Sequence, residues 1–166
     1  MRQTHADLRT DIVRACPDGH PLVLRCHPLR RSPGRPVPFP TLYWLACCEV
    51  DRQVAELERA GWIARVQSRL RTDDQFRMSV AADHESYIEQ RWERLSPEEQ
   101  ADVRAHGLET DFLSLGIGGI RDFNMVKCLH LHYAHHLADA NSIGAWLDQE
   151  GLIQPCRETR HPGGAS

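Results

Sequence analysis

The chain has 166 residues, 41% hydrophobic and 26% charged, with a formal net charge of -3. That length supports one domain with a real core. The slightly acidic balance excludes wholesale attraction to nucleic acid or to an anionic membrane. The first ten residues carry no apolar signal core, and the longest apolar run, residues 42–48, is too short to span a bilayer. A cytoplasmic protein without a membrane span is the expectation.

Residues 1–15 read as a short helix or arm, with Leu8, Ile12 and Val13 as its apolar positions. A tight turn follows over residues 16–21, built by Pro17, Asp18, Gly19 and Pro21. Residues 22–26 form a short apolar strand. The five prolines within residues 28–40 predict a polyproline-like surface loop, in which Arg30, Arg31 and Arg35, with Arg25, are either solvated or line an anion site. Residues 41–47 read as a second strand, paired with 22–26.

Residues 49–60 predict an amphipathic helix with Val50, Val54 and Leu57 at helical spacing and Gly61 as its stop. Another helix spans 62–70. The clearest long helix covers 73–95, where Phe76, Val80, His84, Tyr87, Ile88, Arg91 and Leu95 share one stripe. His84 and Arg91 are polar members of that apolar stripe, so each needs a partner, or points into a site. Ser96, Pro97 and Glu99 make a strong helix start, with Gly107 as terminator. Gly116, Gly118 and Gly119 cluster in a turn where backbone can come close to a ligand.

Residues 125–139 predict the chemically densest helix, holding Cys128, His130, His132, His135 and His136. On a regular helix Cys128, His132 and His135 share a face and His130 falls on the opposite side. With Asn124 as cap, Cys128 lies in the first turn, where free amides, the helix dipole and Lys127 favour a thiolate. That environment suits a nucleophile or a metal-bound sulfur. Residues 141–144 read as the terminating turn and 145–149 as a short last helix. The fold expected is α+β and mainly helical, about five helices around a small antiparallel sheet. A single domain covers 1–150, and 151–166 read as a disordered tail.

The motifs together resemble the DUF501 family of small bacterial proteins, a domain of unknown function. The blocks are Arg14 with Cys16-Pro17, Gly19 and Pro21; Phe39 to Leu45 with Cys47; Leu57-Glu58 with Gly61; His84, Tyr87 and Arg91; Ile117 to Ile120; and Val126 to His130 with Ala134, His135, Leu137, Ala138, Asn141 and Gly144. The resemblance spans about residues 12–148. Two positions depart from the pattern, Cys48 and Ser142, where the family has proline. His132, His136, Cys26, Cys48 and Cys156 lie outside it.

The resemblance implies no established activity. It singles out Cys16, Cys47 and Cys128, and adds His84, Arg91, Lys127, His130 and His135. The leading reading is a metal site made by Cys16, Cys47, Cys128 and His130, taking zinc or an iron–sulfur cluster. The second is a cysteine-dependent enzyme. There Cys128 is the nucleophile, His135 or His84 the base, and Arg91, Lys127, Arg14 and the backbone at Gly118 and Gly119 hold a small anionic substrate. The third is a non-catalytic module that binds a ligand or a protein. No Cys-x-x-Cys pair is present, so the common zinc-finger and thioredoxin signatures are absent.

Overall fold

The structure is a computed structural model that describes residues 9–156. Among these residues it contains five strands and seven α-helices around small antiparallel sheets, two more helices than expected. Strands β1 (Thr10–Ala15), β2 (Pro21–Cys26) and β5 (Tyr43–Leu45) form a sheet in the order β1-β2-β5. The pairing of residues 22–26 with the Tyr43 strand is as the sequence predicts, antiparallel with Leu24 opposite Trp44. Residues 10–15 are a strand rather than a helix: Ile12 pairs with Leu24 of β2, and Val13 lies at an irregularity between Ile12 and Arg14 instead of joining a helical stripe. Residues 1–8 lie outside the described part.

The proline-rich segment is a hairpin, not a polyproline loop. Its strands are β3 (Leu29–Ser32) and β4 (Arg35–Pro38). Gly34 at φ 77° follows Pro33 in the connecting turn, as a turn needing a left-handed third residue demands. Pro36 and Pro38 are tolerated because a two-stranded sheet is all edge, and a missing N–H can face away from the partner.

Helices α1 (Cys48–Arg59), α2 (Trp62–Thr72) and α3 (Asp74–Glu93) follow, with Asp73 capping α3 through the Phe76 N–H at 2.9 Å. The Ser96–Glu99 capping box is present at the start of α4 (Pro97–Ala105). The segment read as a glycine turn also contains a short helix, α5 (Glu109–Ser114), before a 3-10 turn at Ile117–Gly119. The histidine helix α6 (Leu129–Ala138) begins four residues later than expected, with Cys128 itself as the N-cap. Asn141 does not end that helix. It caps α7 (Ser142–Gln149), accepting the Ile143 and Gly144 N–H groups.

The main core gathers the sheet, α1–α3, α6 and α7. A smaller one, Leu29, Leu95, Val103 and Phe112, lies between the hairpin and α4–α5. Ile153 and Cys156 are buried in the main core, so the chain packs beyond residue 150; residues 157–166 of the expected tail lie outside the described part. No described helix is long and apolar enough to cross a membrane.

Helices α6 and α7 meet at Gly144, where an added Cβ would collide with Cβ and Cγ of His136. His136 Cβ sits next to its own backbone and cannot swing clear, so the two helices would have to separate. Overpacking of this kind costs ~1–3 kcal/mol. It outweighs the ~1 kcal/mol that alanine gains over glycine in a helix. Gly144→Ala is therefore expected to lower the thermal midpoint, and a midpoint equal to or above wild type would refute the contact.

Candidate functional site

Cys128 and His130 open into a cleft of about 330 Å³, walled by Thr41, Trp44, Leu45 and Leu131 with Asp51 at its edge. A second hollow of about 450 Å³ shares Trp44, Leu45 and Asp51 and continues past Cys26 and Cys48. The cleft is placed by sequence-local features. Strand β5 supplies Trp44, the first turn of α1 supplies Asp51, and the N-terminus of α6 supplies the Cys and His.

Cys128 is extended (φ -158°, ψ 127°), so it does not follow the helical phase of α6. Its sulfur lies 3.6 Å from Nδ1 of His130, two residues on, not beside His132 and His135. Glu58 comes in from α1, with Oε1 3.1 Å from the same Nδ1 and accepting the Leu129 N–H at 2.6 Å. The other ring nitrogen, Nε2, lies 3.2 Å from the carbonyl oxygen of Asp51 and 3.5 Å from its carboxylate.

These contacts fix the chemistry of the imidazole. A carbonyl only accepts, so Nε2 carries the proton. A neutral His130 then points a bare Nδ1 lone pair at a carboxylate oxygen and a sulfur. Three electron-rich atoms converge, and a proton or a metal ion among them relieves the repulsion: the Cys128 S–H, a second proton on Nδ1, or a metal ion. With a proton, His130 is pushed up to about 9, first by the hydrogen bond with Cys128 and then by the Glu58 charge, with burial opposing. With a metal, Cys128, His130 and Glu58 are a three-ligand set whose donor atoms all lie within 4.8 Å of one another.

Of the residues the sequence singled out, Cys16 and Cys47 are brought together, but their third sulfur is Cys156, not Cys128. Cys128 and His130 are together at the other site. His84 on α3 and His135 on α6 do not line the cleft; both are fully buried. His84 Nδ1 accepts the Ile117 N–H at 3.0 Å, and its ring stacks on Phe123. His135 stacks on Tyr43, and its Nδ1 shares the Asn141 amide with Nδ1 of His132, each at 3.3 Å. Burial, first of all, lowers His84 and His135 to about 4 and His132 to about 3.

The three cations expected to hold an anion each reach backbone oxygen. Arg14 donates to Leu137 O at 2.9 Å, Lys127 to Gly118 O at 3.5 Å, and Arg91 to carbonyls on either side of α3. Gly118 and Gly119 have φ of 77° and 71°; these left-handed glycines shape the 3-10 turn. The residue that sequence reasoning passed over is Glu58. Its signal was present, because Asp51 and Glu58 are seven residues apart on one face of α1, and both meet His130.

The model of a family described as "Protein of unknown function (DUF501)" matches residues 12–149. No curated protein and no solved structure matches the chain.

Proposed function

The chain belongs to the DUF501 family, and from that premise we propose that it is a cytoplasmic metal protein whose centre is Cys128, His130 and Glu58. The observation that supports this is the convergence of sulfur, Nδ1 and carboxylate oxygen while Asp51 keeps the proton on Nε2. Metal-binding histidines characteristically donate their second ring N–H to a carbonyl or carboxylate, as His130 does here.

The spacing fits a small tetrahedral cation. With zinc–sulfur and zinc–nitrogen bonds of ~2.3 and ~2.0 Å, the sulfur–nitrogen edge is about 3.5 Å and the nitrogen–oxygen edge about 3.3 Å. The separations here are 3.6 and 3.1 Å. Three protein ligands leave a position open, and the cleft beside Trp44 gives it access. This is the arrangement in which a metal polarises a small bound ligand or lowers the pKa of a bound water.

The test is metal analysis of protein purified without chelator, alongside Cys128→Ala, His130→Ala and Glu58→Gln. One equivalent of a zinc-class metal is expected in the parent. Each variant should lose affinity by at least the ~10–100-fold typical of disturbing such a site. A parent protein that takes up no metal in the Cys128–His130–Glu58 set would sink the proposal. Cys128 beside His130 would then be a candidate nucleophile. That outcome has its own signature, alkylation of Cys128 that slows in His130→Ala.

A further inference from the structure

The sulfurs of Cys16, Cys47 and Cys156 lie within 4.8 Å of one another, and all three residues are buried. They come from three separate parts of the chain. Cys16 follows β1 in a tight turn closed by its N–H to His20 O (2.8 Å) and by the Gly19 N–H to its carbonyl (2.9 Å). Cys47 is the N-cap of α1, but its side chain does not cap the helix, which leaves the sulfur for other partners.

Cys156 is delivered by a guided return of the chain. Gly151 (φ 67°) ends α7 with its N–H to Asp148 O, and Leu152 N–H follows to Leu147 O. Gln53 on α1 then grips the backbone of Gln154 from both sides, Oε1 accepting its N–H at 2.7 Å and Nε2 donating to its carbonyl at 3.2 Å. Two residues later Cys156 reaches the other two sulfurs. No disulfide joins them.

We propose that Cys16, Cys47 and Cys156 form a second, enclosed metal site that takes a thiophilic d10 cation, Zn2+ or Cu+, and fastens the C-terminal segment to β1 and α1. Thiolate sulfur is the ligand such ions select. Around an ion with bonds of ~2.3 Å, neighbouring sulfurs stand about 3.8–4.0 Å apart, a small adjustment within the present limit. Each thiol that binds releases its proton to solvent as the sulfur–metal bond forms, and no electrons change hands. The roles of the two sites differ. The cleft centre opens to a cavity, whereas the three cysteines of this site are all buried.

The experiment uses the full chain with the cleft ligands removed, Cys128→Ala with His130→Ala, reduced and handled anaerobically. It is titrated separately with Co2+ as a zinc stand-in and with Cu+. One equivalent with a sulfur-to-metal charge-transfer band, and a raised thermal midpoint, are expected in at least one arm. Adding Cys156→Ala should abolish both, and circular dichroism checks that the variant keeps the fold. Absence of a charge-transfer band in both arms would overturn the site, as would a band unchanged by Cys156→Ala. Because the cleft ligands are absent throughout, this result is independent of the fate of the cleft proposal.

Discussion

Acidification from neutral pH toward about 4 is expected to unfold the protein cooperatively, because His84 and His135 resist protonation in the fold until about that pH. In the unfolded chain each titrates near ~6.5. Between those values the unfolded state binds protons that the native state refuses. Their contribution to stability is thus present above about 6.5 and is lost as pH falls to about 4. The gap corresponds to about 3 kcal/mol for each of the two, against a total stability of only ~5–15 kcal/mol.

The cause is burial without charge compensation. His84 is faced by Phe123, His132 and the Ile117 N–H; His135 by Tyr43, Tyr87 and Asn141, with Asp139 favouring its charge and His136 opposing it. Nε2 of each is buried with no hydrogen-bond partner among the described residues, so an added proton gains nothing there. Asp83 acts in the opposite sense, its carboxyl raised chiefly by burial, but it is one group against these two. Tryptophan fluorescence and circular dichroism against pH, on chelator-treated protein so that metal loss plays no part, should show a transition inside this window. His135→Phe keeps the stacked ring and should move the midpoint to lower pH. A native signal that persists unchanged to pH 4 would refute the account.

The same histidines show what the sequence could and could not reveal. Period and caps located α1 to α4 well, since Val50/Val54, Asp73 and the Ser96–Glu99 box are local signals. The β3–β4 hairpin was hidden because five prolines argue against a sheet, and only the two-stranded context makes them acceptable. The stripe of α3 marked His84 and Arg91 as polar groups needing partners, and both are buried as that stripe requires. What their partners are is a tertiary fact: a backbone N–H for His84, carbonyls for Arg91. The helical wheel grouped Cys128 with His132 and His135 because it assumed helix from residue 125. An extended N-cap breaks the phase at the one residue whose position mattered most. Glu58, despite its helical spacing from Asp51, and Cys156 were not assigned for another reason. Each meets its site across long sequence separation, and Cys156 lies outside the family match.

Replacing Arg91 by Met should be among the most damaging single changes, with an expected loss of about 3–5 kcal/mol, the range for stranding a buried charged network. Arg91 is 1% exposed. One guanidinium nitrogen donates to Pro40 O at 3.2 Å, and the other to Phe112 O at 2.5 Å and to Leu115 O. Phe112 and Leu115 end α5, so their carbonyls are among those a helix leaves without partners, at the negative end of its dipole. The cation thus does at α5 what a capping residue does elsewhere. It also ties α5 to the segment entering β5. One turn earlier on α3, the Tyr87 hydroxyl accepts the Leu42 N–H at 2.5 Å, so α3 holds residues 40–42 at two points. That segment leads directly to Trp44 and the wall of the cleft. Lysine should not rescue the change, because a single ammonium on a flexible stem cannot span the carbonyls that the planar fork reaches together. At ~2–4 °C per kcal/mol, the thermal midpoint should fall by about 6–20 °C. Metal affinity at Cys128, His130 and Glu58 should fall with it, because the strand that shapes their surroundings loses its anchor. A midpoint within about 2 °C of wild type would show that water replaces the guanidinium at little cost, and the anchoring role would be wrong.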